Sequence, residues 1–212
     1  MTVTVVSLLS RGERGIEVCF EISDGEHIDK ETFLVGIDTV ATLNIKKGEC
    51  DKELFDKVSE ASRLYSAVRR GTNILGYGAC SEKGLTRKLI AKGEDPAVVA
   101  CAVKELVKRG YIDPHADAAR EAEKCARKLW GKRRIVAELY KKGYSEDSVK
   151  NALYSLEDNE VDFVEICAER IRMTVKELPS DPMAKRKLTM GLQRYGFSLA
   201  EIKEAMRVAF KG

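Results

Sequence analysis

The sequence predicts a mainly α-helical protein, built as tandem three-helix repeats in an elongated, curved body behind a small N-terminal β-containing extension. Three observations carry this. A glycine-centred pattern recurs three times, apolar residues around it return at helical spacing, and the first fifty residues alternate with period two instead. In each copy of the pattern a leucine precedes the glycine by four and a capping residue follows it by two: Leu89, Gly93 and Asp95; Leu139, Gly143 and Ser145; Leu192, Gly196 and Ser198. Leu85, Ile135 and Leu188 stand eight before the glycine, and Val99, Val149 and Ile202 six after it. The glycines are 50 and 53 residues apart, so the unit is about 50 residues long.

Taken in chain order, residues 2–9 and 16–22 read as strands, the second placing Ile16, Val18, Phe20 and Ile22 on one face. Ser23, Asp24 and Gly25 signal a hairpin, and a third strand includes Phe33, Leu34 and Val35. Helices follow near Asp38–Leu43 and from Asp51, with Lys47 and Gly48 between them.

The first helix of each repeat is expected over Glu60 to about Arg70, Ala116–Leu129 and Val161–Leu178. The second ends at the repeat glycine, which enters a left-handed conformation without steric cost. The third is capped by Asp95, Ser145 or Ser198, with Pro96 in the first turn of one copy and Glu201 completing a capping box in another. The expected divisions are residues 1–59, 60–113, 114–160 and 161–212.

Composition is that of an ordinary globular chain: 212 residues, 44% hydrophobic and 33% charged. No apolar run approaches membrane-spanning length and no basic-then-apolar leader opens the chain, so the expected location is the cytoplasm. The six cysteines contain no C-x-x-C pair, and His27 and His115 stand far from any paired cysteines. No disulfide framework and no metal or other cofactor is expected. The cysteines read as small buried residues, Cys101 and Cys125 foremost.

No phosphate-cradling glycine loop occurs, and neither histidine has a nucleophile arranged around it. Glu17, Glu21, Asp24 and Glu26 could be assembled into a metal-dependent nuclease site, but alternating outward carboxylates on a small sheet are ordinarily just solvated. The expectation is therefore a protein without catalytic residues.

Charge is distributed unevenly. Residues 1–60 hold 7 Lys and Arg against 13 Asp and Glu, a net of −6, whereas residues 61–212 hold 30 against 21, a net of +9. A basic body suits a polyanion or an acidic protein groove. The cations keep the repeat register: Lys83, Arg133 and Arg186 lie ten before the repeat glycine, and Lys132 and Lys185 eleven before it. These positions start the second helix, where the dipole disfavours cations, so a partner-binding stripe is the expected reason for them. Arg69, Arg70, Arg87, Lys88, Arg134, Lys141, Lys142 and Lys187 extend the stripe. Tyr65, Trp130, Tyr140, Tyr144 and Tyr154 are interleaved, but aromatics at helical spacing belong more often to a core than to base stacking.

The first repeat, with Ser81, Glu82, Lys83, Leu85, Arg87, Lys88, Leu89, Lys92, Gly93 and then Gly110, Tyr111, Ile112 and Asp113, resembles the bacterial RecX family of recombinase regulators. The second, with Arg133, Arg134, Ile135, Glu138, Leu139, Lys142, Gly143 and Val149, is similar, and the third is weaker but in register. Two stretches depart from the family pattern, Gly78-Ala79-Cys80 and Pro114-His115-Ala116.

The resemblance implies a non-enzymatic protein that lies in the groove of the RecA–DNA filament; a monomer is expected. It would modulate, in the usual sense inhibit, ATP hydrolysis, strand exchange and LexA cleavage in DNA repair and the SOS response. Single- or double-stranded DNA is a further expected partner. The alternatives are a direct DNA binder, with one helix-turn-helix-like pair per repeat, and the nuclease built on the acidic sheet. No cluster of base-reading Arg, Asn and Gln supports sequence-specific readout.

Overall fold

The alternating N-terminal residues form β1 (Thr2–Ser10), β2 (Ile16–Ser23), β3 (Ile28–Val35) and the short β4 (Gly48–Cys50), in an antiparallel sheet of order β3-β2-β1-β4. This is a computed structural model that describes residues 2–210; Met1 and residues 211–212, which the expected terminal segments include, lie outside it. Asp24 closes the β2–β3 turn by accepting the His27 backbone N–H at 2.8 Å. β4 is not expected from sequence: Gly48, read as a break between helices, instead pairs with Val5.

The carboxylates of the nuclease reading have other work. Glu17 accepts from Nε and Nη2 of Arg11, at 2.9 and 2.8 Å, and Glu21 sits 3.4 Å from Lys30. Among the described residues no group of three or more His, Cys, Asp or Glu is placed to hold a metal ion.

Helix α1 (Ile37–Thr42) is short, and α2 (Lys52–Gly76) is a single helix of 25 residues capped by the Asp51 carboxylate. The sequence reading splits α2 into two pieces, and its division between residues 59 and 60 falls inside the helix. Ser59 could cap a new helix there, but no Gly or Pro breaks the chain, so nothing forces the first helix to end and it propagates through.

One stretch of α2 packs on the sheet: Val58 is buried with Val5, Val18 and Phe20, and Leu54 and Phe55 are partly buried against them. Phe20, Phe33 and Phe55 meet edge to face at centroid distances of 5.2–5.8 Å. Such pairs contribute about 0.5–1.5 kcal/mol each beyond their buried area. Further along, Gly71 lets Leu106 approach so closely that a Cβ there would collide, with Leu85 in ordinary contact beside it. Accordingly the residues up to Gly78 form one compact unit with Leu85–Tyr111, while Ala79–Gly84 group with the residues from Ile112 onward.

This has a consequence for truncation. Deleting residues 1–50 should strip the cover from Leu54, Phe55 and Val58, exposing an apolar stripe. The expected result is a protein of lower thermal midpoint that binds the dye ANS. A truncated protein with the parent's midpoint and no dye binding would show that α2 does not depend on the sheet.

The remaining helices are α3 (Glu82–Ala91), α4 (Pro96–Lys108), α5 (Pro114–Arg127), α6 (Lys132–Lys142), α7 (Glu146–Asp158), α8 (Phe163–Thr174), α9 (Pro182–Arg194) and α10 (Leu199–Val208). Gly93, Gly143 and Gly196 take φ of +86°, +91° and +95° at the ends of α3, α6 and α9, as the repeat pattern requires. Asp95, Ser145 and Ser198 each accept backbone N–H groups of the following helix, and Ser198 with Glu201 forms the capping box. α8 stops at Thr174 rather than at Leu178, because Pro179 bars its predecessor from helical geometry and the chain turns extended at Val175.

In the second unit α5–α7 surround one core, with Ile135, Leu139, Val149 and Leu156, and α8–α10 surround another, with Ile171, Leu192, Phe197 and Ile202. Ile166 of α8 packs against both.

Cysteine placement follows these cores with one correction. Cys80, Cys125 and Cys167 are buried, but Cys101 is exposed, since Val99, Ala102, Val103 and Leu106 define the inward face of α4 and residue 101 lies off it. Burial, with the Glu201 charge adding to it, pushes the Cys167 thiol up to about 12, and burial likewise raises Cys125. Only thiolates react, so iodoacetamide should modify Cys101 in the native protein and reach Cys80, Cys125 and Cys167 only after denaturation. Mass spectrometry would show this, and native labelling of Cys167 would refute the packing.

Candidate partner-binding surface

Helix α6 begins without a side-chain cap, at Gly131. Its orphan donors are met by the end of α9 instead: the Gly131 N–H donates to the Tyr195 carbonyl at 2.8 Å and the Arg133 N–H to the Gly196 carbonyl at 3.2 Å. The two glycine backbones touch, and a Cβ on either would run into the other. The same joint occurs one repeat earlier. Ser81 stands twelve before its repeat glycine, as Gly131 does, and its hydroxyl donates at 2.5 Å to the carbonyl of Lys142, the residue before Gly143. At α9 the series stops, because Asp181 caps that helix with its own carboxylate, 2.7 Å from the Ala184 nitrogen.

This joint changes the meaning of the basic cluster at residues 132–134. On α6 alone the cations oppose the helix dipole, but the C-terminal carbonyls of α9 lie against the same spot and favour positive charge. Local stability therefore also favours cations at the start of α6, contrary to the expectation from that helix alone.

Arg134 in particular is a packing residue: its guanidinium lies 4.0 Å from the centre of the Trp130 ring and 5.0 Å from that of Tyr195. Arg170 covers Tyr195 at 3.5 Å. Each such contact contributes about 0.5–2 kcal/mol, depending on how far it is desolvated. Lys132 is paired with Glu157 at 2.6 Å and Lys142 with Glu121 at 3.0 Å.

The other stripe residues divide by unit. In the first, Arg70 is paired with Glu94 at 2.8 Å, Arg69 is half-buried, and Arg87 and Lys88 are exposed on α3. In the second, Lys83, Arg133, Lys141, Lys185, Arg186 and Lys187 are exposed. Among the described residues no ion pair engages Arg133, Lys185, Arg186 or Lys187.

Lys187 also lines a cavity of about 450 Å³ with Arg170 and Tyr195, floored by Val175, Leu188 and Leu192. A cavity lined by apolar side chains and two cations suits an apolar side chain flanked by negative charge. Arg170 and Tyr195 are absent from the sequence-derived stripe. They meet Lys187 and Arg134 only through tertiary packing, and no spacing in the chain announces it.

The fold defines a helical-repeat protein in which the starts of α3 and α6 are joined to the ends of α6 and α9. No protein-family profile matches the sequence. The chain is 33% identical over 146 residues to the regulatory protein RecX of Pelodictyon phaeoclathratiforme, covering 67% of this chain and 88% of that one. It is 25% identical over 189 residues to the regulatory protein RecX of Caldanaerobacter subterraneus subsp. tengcongensis, covering 87% and 90%.

A crystal structure of a regulatory protein RecX superposes with a TM-score of 0.72 at 22% identity, over 95% of this chain and 99% of that one. RecX from Lactobacillus salivarius matches with a TM-score of 0.58 over 69% and 96%. The chain belongs to the RecX family of regulatory proteins. No helix among the described residues is long and apolar enough to cross a membrane.

Proposed function

We propose that this protein regulates the RecA recombinase in the cytoplasm, binding the groove of the RecA–DNA filament and lowering its ATPase, strand-exchange and coprotease activities. Membership in the RecX family carries the reading. The free cations Arg133, Lys185, Arg186 and Lys187, together with the Arg170 cavity, supply a surface for the acidic side chains or phosphates such a filament presents. Lys132, Arg134 and Lys142, occupied within the fold, are assigned to its architecture instead.

The test is RecA-catalysed ATP hydrolysis on single-stranded DNA with this protein titrated in, at two salt concentrations. The parent should inhibit. A variant with Arg133, Lys185, Arg186 and Lys187 replaced by alanine should inhibit at least tenfold less per mole, with a flatter salt dependence and an unchanged thermal midpoint. An unchanged titration would remove these four residues from the interface. Duplex binding with a steep salt slope and no effect on RecA would favour the direct DNA binder instead.

A further inference from the structure

We infer that the exposed face of α9 in one copy of this chain docks into the acidic groove between α5, α7 and α8 of a second copy, so that molecules associate head to tail. Both halves of the contact lie in the second unit. The groove encloses about 760 Å³; Leu129, Leu156, Val161 and Ile166 line it, and Glu160, Glu165 and Glu169 outnumber its one cation, Arg127, which is paired with Glu123 at 3.5 Å. Glu165 is paired with Arg172, but among the described residues no ion pair engages Glu160 or Glu169. The C-termini of α5 and α7 both open onto the groove, at Leu129 and at Asn159 and Glu160, so their dipoles deepen its negative potential. An apolar lining under that potential calls for a helix that is apolar and cationic on one face.

Helix α9 presents such a face. Met183, Lys187, Met190 and Arg194 fall at i, i+4, i+7 and i+11, which is one stripe of the helix, and all four are exposed. Met183 is 73% exposed and Met190 48%, on a helix whose opposite side buries Leu188 and Leu192. Methionine adapts to irregular apolar surfaces, and the two cations match the two unpaired carboxylates. The contact joins two different surfaces, so it does not close on itself and repeats from copy to copy. One helix face in one groove makes a weak contact, so the proposed association is driven by concentration and opposed by salt.

Sedimentation velocity over a concentration series, at low and high salt and without RecA or DNA, tests this. The parent should sediment faster as concentration rises at low salt and return to the monomer value at high salt. A groove variant, Glu160→Lys with Glu169→Lys, should stay monomeric, as should a face variant, Met183→Ser with Met190→Ser and Arg194→Ser, each with the parent's circular dichroism spectrum. Mixed one to one, these variants retain a single intact pairing between them and should form a dimer that grows no further.

A parent that stays monomeric throughout, a groove variant that still associates, or a mixture that yields no dimer would overturn the inference. So would groove-dependent binding of an unrelated basic peptide by a chain that does not self-associate. Because the measurement contains no RecA, its failure would leave the proposed regulation untouched.

Discussion

A Leu139→Asp protein should fail to hold its central helices together. Leu139 is fully buried, packed with Ile135, Val149 and Leu156 where α5, α6 and α7 meet. Truncating such a leucine costs about 2–5 kcal/mol through lost burial and the cavity left behind. Aspartate adds a carboxylate with no partner in that core, which must be either desolvated as an anion or held protonated against its ordinary pKa. The sum approaches the whole stability of a typical domain, about 5–15 kcal/mol. Far-UV circular dichroism should show reduced helix at 25 °C and loss of the cooperative melt. A melt matching the parent's would refute the shared core on which the repeat reading rests.

Gly196→Val should be nearly as severe, for a different reason. The residue sits at φ +95°, a conformation costly for any side chain and most costly for a β-branched one. Its missing Cβ also leaves room for the backbones of Arg134 and Gly131. Valine would push α6 away from α9, breaking the Gly131 and Arg133 donor bonds and parting Tyr195 from the Arg134 guanidinium. A loss of about 3–5 kcal/mol is expected, at the upper end for a single substitution. Gly93→Val provides the comparison. Gly93 takes a similar φ of +86°, but a Cβ there meets nothing within 4 Å. Paired thermal melts should therefore rank Gly196→Val below Gly93→Val, and equal midpoints would mean that backbone conformation alone sets the cost.

Much of the fold was legible because it is written locally. The glycine and capping residues of each repeat act within a few positions of themselves, and leucines at fixed offsets name their own inward face. Local order has limits, however. β4 is three residues long and exists only because β1 offers it an edge, and α2 runs through residue 60 because nothing there stops it. Cys101 shared a helical register with buried neighbours yet lay one position off their face.

The candidate surface was legible only as a set of charges. Which cations are already engaged depends on residues distant in sequence: Glu157 for Lys132, Glu121 for Lys142, Tyr195 for Arg134. Arg170 has no place in the repeat register at all.

The joint at Gly131 and Gly196 bears on how far this sequence can drift. Its bonds run from main chain to main chain, and main-chain atoms are the same whatever residue carries them, so long as the approach stays open. Side chains elsewhere on α6 and α9 can then be exchanged without altering how the two helices meet. A fold fastened in this way survives extensive substitution, which accords with a TM-score of 0.72 at only 22% identity. By the same token, surface chemistry is free to change under an unchanged skeleton, and two proteins with this architecture need not present the same face to a partner.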